Sequence, residues 1–257
     1  MSLTGRGKAA ARRLLQRRGY TVFSDRPPRD LANPLGIELA AHRLLLRAVL
    51  ESRGVNCVID VGAHTGGYGS QLRQAGYQGE IVSVEPVAAS FDALRARAES
   101  DPRWHARRLA LGGAPGTATL QVAREANFTS FLRPTRFSLD WFGGSAVERE
   151  EEVEVKRLDA VFDAFVAHVA QPRVLLKTDT QGWDLEVIEG ARGVLDRIDA
   201  LQVELAVRPI YEGAVGWLEA VETLRRLGFR PAHLTTVARD AALGVVELDC
   251  LLVRDRG

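Results

Sequence analysis

The chain has 257 residues, 46% of them hydrophobic, and a formal net charge of +1. That length is ample for a large core, and the near-neutral balance excludes recognition of a nucleic acid or a membrane by bulk charge. No apolar stretch approaches the length needed to span a bilayer, and the two cysteines, Cys57 and Cys250, sit in apolar strand-like runs. Buried thiols in a reducing cytoplasm are therefore expected rather than a disulfide framework.

Residues 1–23 carry six basic side chains around Leu14 and Leu15 and read as a basic helix ending at Gly19, with a solvated charged face. Pro27, Pro28 and Pro34 mark 24–34 as a linker. From Ile37 to Leu50 the apolar residues fall mostly on one side of a helix that should cap the sheet. Residues 1–54 thus read as a helical N-terminal extension and linker, and 55–257 as the main domain.

That domain begins with a strand over Cys57–Val61, followed by a glycine-rich bend, a helix over Ser70–Ala75 and a second strand, Ile81–Val84, ending at Glu85. A strand, glycine bend, helix, strand and acid in that order suit a nucleoside, with the carboxylate on a ribose diol. Gly62 is followed by Gly66, so the G-x-G-x-x-G spacing of a pyrophosphate site is missing and a nicotinamide-dependent oxidoreductase is disfavoured. Further on, Ala88–Ala98 reads as a helix, Trp104–Leu111 as a third strand and Thr117–Val122 as another. His105 reads as structural.

Asn127–Ser145 holds five aromatic residues and follows neither period, as expected of a mobile lid or of a loop folded permanently onto the core. The acidic run Glu148–Glu152 reads as a solvated approach to a strand over Val153–Val155. A helix over Leu158–Val169 and an apolar strand over Arg173–Thr178 deliver Asp179-Thr180-Gln181-Gly182, followed by a helix over Trp183–Ala191 and a strand over Leu201–Val207. Asp184, Glu186 and Glu189 read as solvated or capping. Strands alternating with helices predict an α/β fold with a doubly wound, mostly parallel sheet, in which ligands lie beyond the carboxyl ends of the strands. Asp179 stands at such an end, and Glu204 in the neighbouring strand.

Asp60, Gly62, Gly66 and Glu85 resemble the first two motifs of class I S-adenosylmethionine-dependent methyltransferases. With Val-Ile-Asp-Val-Gly-Ala at 58–63, Val-Glu-Pro at 84–86, Ala-Leu-Gly at 110–112, Arg-Leu-Asp at 157–159, Leu-Lys-Thr-Asp-Thr-Gln-Gly at 176–182 and Tyr-Glu-Gly at 211–213, the chain resembles the FkbM family over roughly residues 55–253. Two positions depart from it: His64 stands where that family more usually has Asn, and Asn127–Leu132 matches its serine-rich segment only through Thr129 and Ser130.

The resemblance implies a Rossmann-like class I methyltransferase fold and an O-methyltransferase acting on a sugar, glycan or polyketide-type natural product. It implies S-adenosylmethionine as cofactor, held by Asp60, Gly62, Ala63, His64, Gly66, Glu85, Pro86 and Asp179, with Ala110 and Leu111 against the adenine. Asp179 is the first candidate for the base or for the group orienting the acceptor hydroxyl, Glu204 the second and His64 the third. Lys177 is placed to keep Asp179 ionised. A Mg²⁺ bound by Asp179 and Glu204 is disfavoured, because no third ligand stands beside Glu204. The alternative is a non-catalytic nucleoside-binding or scaffold protein on the same fold.

Overall fold

The computed structural model describes residues 34–255, with side chains from residue 38 onward. The predicted basic helix and most of the predicted linker lie outside the described residues. Helix α1 (Pro34–Arg53) leads into β1 (Cys57–Val61). There follow α2 (Gly67–Gln74), β2 (Glu80–Val84), α3 (Ala88–Ala98), β3 (Trp104–Arg107), β4 (Ala110–Leu111), β5 (Gly116–Ala123), α4 (Arg136–Trp141) and β6 (Val147–Lys156). The rest comprises α5 (Leu158–Phe165), β7 (Val174–Thr178), α6 (Asp184–Gly190), β8 (Ile198–Ala206), α7 (Trp217–Arg226), β9 (Phe229–Arg239) and β10 (Val245–Arg254).

Seven strands form one sheet in the order β3-β2-β1-β7-β8-β10-β9, parallel except for β10, which runs antiparallel to β8 and β9. The winding reverses between β1 and β7, so a crevice opens beyond their carboxyl ends, the position where such sheets take ligands. Alternation along the strands divides the core into two layers. Cys57, Ile59 and Val61 pack with residues of α5, α6 and α7. Val58, Ile81 and Leu175 pack with Leu46, Val49 and Leu50 of α1, Leu72 of α2 and Leu94 of α3. Cys57 and Cys250 are fully buried free thiols whose pKa burial pushes up to about 12.

The structure corrects several expectations. The predicted third strand is broken: Trp104–Arg107 extends the main sheet, whereas Ala110–Leu111 joins a separate three-stranded sheet, β4-β6-β5. The acidic run lies inside β6, exposed along its length apart from the half-buried Glu151, because pairing with β5 continues to Val147. Ala41 onward forms one compact unit, in which Leu46, Val49 and Leu50 of α1 pack into the core. Leu44 and Leu45 of that helix are exposed, because three successive leucines cannot share one face at 3.6 residues per turn. Residues 127–145 are folded onto the body, with Phe128, Leu132, Phe137 and Trp141 packed against Ile210, Tyr211 and Val246.

Candidate active site

The bend after β1 is shaped by backbone packing. Gly62 has φ +74°, and a Cβ there would lie 2.0 Å from the carbonyl oxygen of Asp179. Its missing side chain therefore makes room for the end of β7, and the same residue lines the cleft described below. His64 follows at φ +49°, a left-handed conformation in which His, like Asn and Asp, is enriched among non-glycine residues. Its N–H donates to Glu85 Oε2 at 2.8 Å, and the N–H of Val87 donates to Glu85 Oε1 at 2.9 Å. Burial raises the Glu85 pKa to about 7 against those two hydrogen bonds, so the group titrates near neutrality.

Gly66 and Gly69 serve the core. A Cβ at Gly66 would meet Leu94 at 2.9 Å, and one at Gly69 would meet the Trp104 indole at 2.3 Å. The indole N–H of Trp104 donates to Ser83 Oγ at 3.0 Å, and Ser83 donates to Asp60 at 3.2 Å. Asp60 is fully buried and pairs with Lys177 at 3.0 Å. Ser83, Asp60, Lys177 and Gln202 stand side by side across β2, β1, β7 and β8, a polar row on one face of the sheet.

The bend after β7 is shaped by side chains. Lys177 reaches Asp179 at 3.4 Å as well as Asp60, and these carboxylates overcome its burial and raise its pKa. Burial opposes ionisation of Asp179, but Lys177 and then Gln181 more than offset it, so its pKa falls below the ordinary carboxylate value. Gln181 adopts φ +57°. Its Nε2 donates to Asp179 Oδ1 at 3.1 Å and to Glu204 Oε2 at 2.7 Å, while its Oε1 accepts from the Tyr211 hydroxyl at 2.7 Å. The Gln181 carbonyl accepts from Ser130 Oγ at 2.7 Å, which ties the aromatic segment to the bend. Asp184 caps the same turn, accepting from the N–H groups of Thr180 and Gly182.

The two bends border one cleft of about 650 Å³, its open mouth included. Gly62, His64, Glu85, Pro86, Ala110, Leu111 and Asp179 line it. Of the other residues expected there, Asp60, Ala63 and Gly66 lie behind the wall, in the buried network or the core. Ala110 and Leu111 reach the cleft from the small sheet rather than from the tip of a third main strand. Glu204 lines a second, smaller pocket beyond Gln181, and burial, then Asp179, push its pKa well above normal. Gln181 was not singled out; its place after a strand-end Asp was the available signal, but its joining of two carboxyls depends on contacts across 23 residues. His105 is held by Glu80 at 2.9 Å, a structural pairing. Among the described residues no group of three or more His, Cys, Asp or Glu is arranged to hold a metal ion.

A family model described as the methyltransferase FkbM domain matches residues 60–231, two thirds of the chain and both bends. The chain belongs to the FkbM methyltransferase family. No curated protein matches it. Among solved structures, this FkbM protein is similar to the magnesium protoporphyrin IX methyltransferase of Synechocystis PCC 6803 with bound SAM, at 11% identity and a TM-score of 0.46, covering 99% of each chain. It is also similar to a TehB-like SAM-dependent methyltransferase of Corynebacterium glutamicum, at 11% identity and TM-score 0.38 over 97% of each chain. A third is the neocarzinostatin O-methyltransferase NcsB1, at 13% identity and TM-score 0.41 over 84% of this chain and 57% of that one. Of the family's serine-rich segment, the FkbM domain here keeps Thr129 in the cleft wall and Ser130 on Gln181.

Proposed function

We propose that the chain is an O-methyltransferase that moves a methyl group from S-adenosylmethionine to a hydroxyl of a sugar, glycan or polyketide-type natural product, in the cytoplasm. One observation carries the reading: a single cleft presents Glu85 from the end of β2 and an ionised Asp179 from the end of β7. No described helix is long and apolar enough to cross a membrane, and two free buried thiols suit a reducing compartment.

The lining fits the cofactor. Glu85 is an acceptor for a ribose diol, its oxygens already oriented by two backbone N–H groups. Ala110, Leu111, Leu120 and Phe131 offer apolar surface for a purine, and Asp179 supplies negative charge for a cationic donor. When bound, S-adenosylmethionine supplies an electrophilic methyl group.

The chain's own residues align, dry and deprotonate. An alcohol is a poor nucleophile while protonated, and a positioned base contributes roughly 10²–10⁴-fold. Asp179, steadied on Oδ1 by Gln181 and on Oδ2 by Lys177, accepts the acceptor hydroxyl as a hydrogen bond and takes its proton as the new carbon–oxygen bond forms. His64 lines the same cleft, and burial lowers its pKa, so it is a neutral imidazole at pH 7 and the second candidate for that proton. Glu204, with its raised pKa and its place beyond Gln181, drops out as the base. The near-neutral charge supports a small-molecule or glycan acceptor over nucleic acid.

Titration with S-adenosylhomocysteine and with NADH tests the cofactor, and a gain of one methyl mass on an alcohol incubated with donor and enzyme tests the reaction. Binding of NADH alone would overturn the reading. So would cellular function that survives Asp179→Ala, which would mark a binding protein.

A further inference from the structure

Beyond Gln181 lies the second pocket, about 410 Å³ with its opening, walled by aliphatic side chains such as Leu185, Val203 and Ile210. Its ionisable lining is Asp184, Glu204, Glu247 and Tyr211, and no lysine, arginine or histidine is among the lining residues. Three of the four are accounted for. Asp184 caps the turn, Glu204 accepts from Gln181, and the Tyr211 hydroxyl meets Gln181 and the Phe128 carbonyl. Glu247 is not: it is only 7% exposed, it lines the pocket, and it has no hydrogen bond or ion pair with any described residue.

A buried carboxyl without a partner is costly, and buried polar groups as a rule have one. Asp249, the next β10 residue on the same face, accepts from Gln202, whereas Glu247 has no such donor. Glu247 pairs across the ladder with Ala206, two residues from Glu204, which sets the two acids diagonally on one face of β8 and β10. The complement to two carboxyls in a narrow aliphatic pocket without a cation of its own is a compact cation the size of an ammonium group. The absence of a three-ligand group among the described residues disfavours a metal ion in that role.

We propose that this pocket receives the ammonium group of an amine-bearing acceptor, held between Glu247 and Glu204. The inference rests on the methyl-transfer reading: Gln181 joins Glu204, which lines this pocket, to Asp179, which lines the cleft.

Protonation supports the same view. Burial first, then Asp179, Asp184 and Asp249, push Glu247 to about 8, while burial, then Asp179 and Glu247, raise Glu204. These are the charged groups that face the pair, from the end of β7, from α6 and from β10 itself, with Tyr211 from the loop after β8. Without ligand Glu247, at about 8, holds its proton at pH 7, and Glu204 is pushed in the same direction. An ammonium favours their ionised forms and lowers those pKa values.

The test uses the full chain with glutamate side-chain carboxyls labelled with ¹³C, saturated with S-adenosylhomocysteine and titrated with ethanolamine, with 1,2-ethanediol as the neutral counterpart. Glu247→Gln assigns the resonance. We expect saturating ethanolamine to lower the Glu247 midpoint by about one pH unit or more, a tenfold change in proton affinity, and ethanediol to leave it in place. Glu247→Gln should weaken ethanolamine by about tenfold or more and leave S-adenosylhomocysteine binding unchanged. An unmoved midpoint, or equal ethanolamine affinity in the variant, overturns the proposal. Failure of S-adenosylhomocysteine to bind instead overturns the methyl-transfer reading, and the ethanolamine titration without it still decides the pocket.

Discussion

The two bends that meet where the sheet reverses solve the same problem by different means. After β1 the chain is held by backbone: Gly62 has no room for a side chain, and Glu85 is gripped by the N–H groups of His64 and Val87. After β7 it is held by side chains, with Gln181 joining Asp179 to Glu204 and Lys177 balancing Asp179. Main-chain donors stay in place when their own side chains change, which suits a constant cofactor. A side-chain network, by contrast, changes with single substitutions.

If this contrast holds, damage at the second bend should fall on turnover and damage at the first on binding and folding. The largest effect is expected from Asp179→Asn, with methyl transfer falling roughly 10²–10⁴-fold in single-turnover assays while S-adenosylhomocysteine affinity stays close to wild type. Gly62→Ala should unfold the junction. A Cβ 2.0 Å from the Asp179 carbonyl, at φ +74°, is expected to cost about 3 kcal/mol or more, read as a lower midpoint in thermal denaturation and as lost cofactor binding. Gln181→Ala leaves Asp179 and Glu204 without their shared donor. At ~1–3 kcal/mol for a buried group deprived of its partner, the thermal midpoint should fall, and kcat should fall less than in Asp179→Asn because Asp179 keeps Lys177. The smallest effect belongs to His64→Asn, since Asn also accepts the left-handed conformation; turnover within about threefold of wild type would leave Asp179 as the base, and a loss like that of Asp179→Asn would transfer the role to His64.

Much of this architecture was legible in the sequence because it follows from local chemistry. The apolar runs at 57–61, 81–84 and 174–178 became adjacent parallel strands, and Asp179 emerged at a strand end. What was not legible depends on contacts between distant segments. Gly62 lines the cleft, but what requires a glycine there is also the main chain of Asp179, which no spacing rule reveals. Asp60 stood two residues before that glycine yet turned into the sheet to meet Lys177, because alternation along β1 puts it on the face opposite Val61. The run Trp104–Leu111 read as one strand, since nothing in its composition marks where pairing with β2 stops and pairing with β6 begins.

The claim on which the rest depends is that Glu85 receives the cofactor's ribose. A diol donating to that carboxyl favours its ionised form and lowers its pKa from about 7, so affinity must rise with pH as the free protein loses the proton. Calorimetric titration of S-adenosylhomocysteine should show binding strengthening about tenfold from pH 6 to pH 8, with the slope abolished in Glu85→Gln. Affinity independent of pH in the wild type, or a variant that binds as tightly as the wild type, would contradict the account.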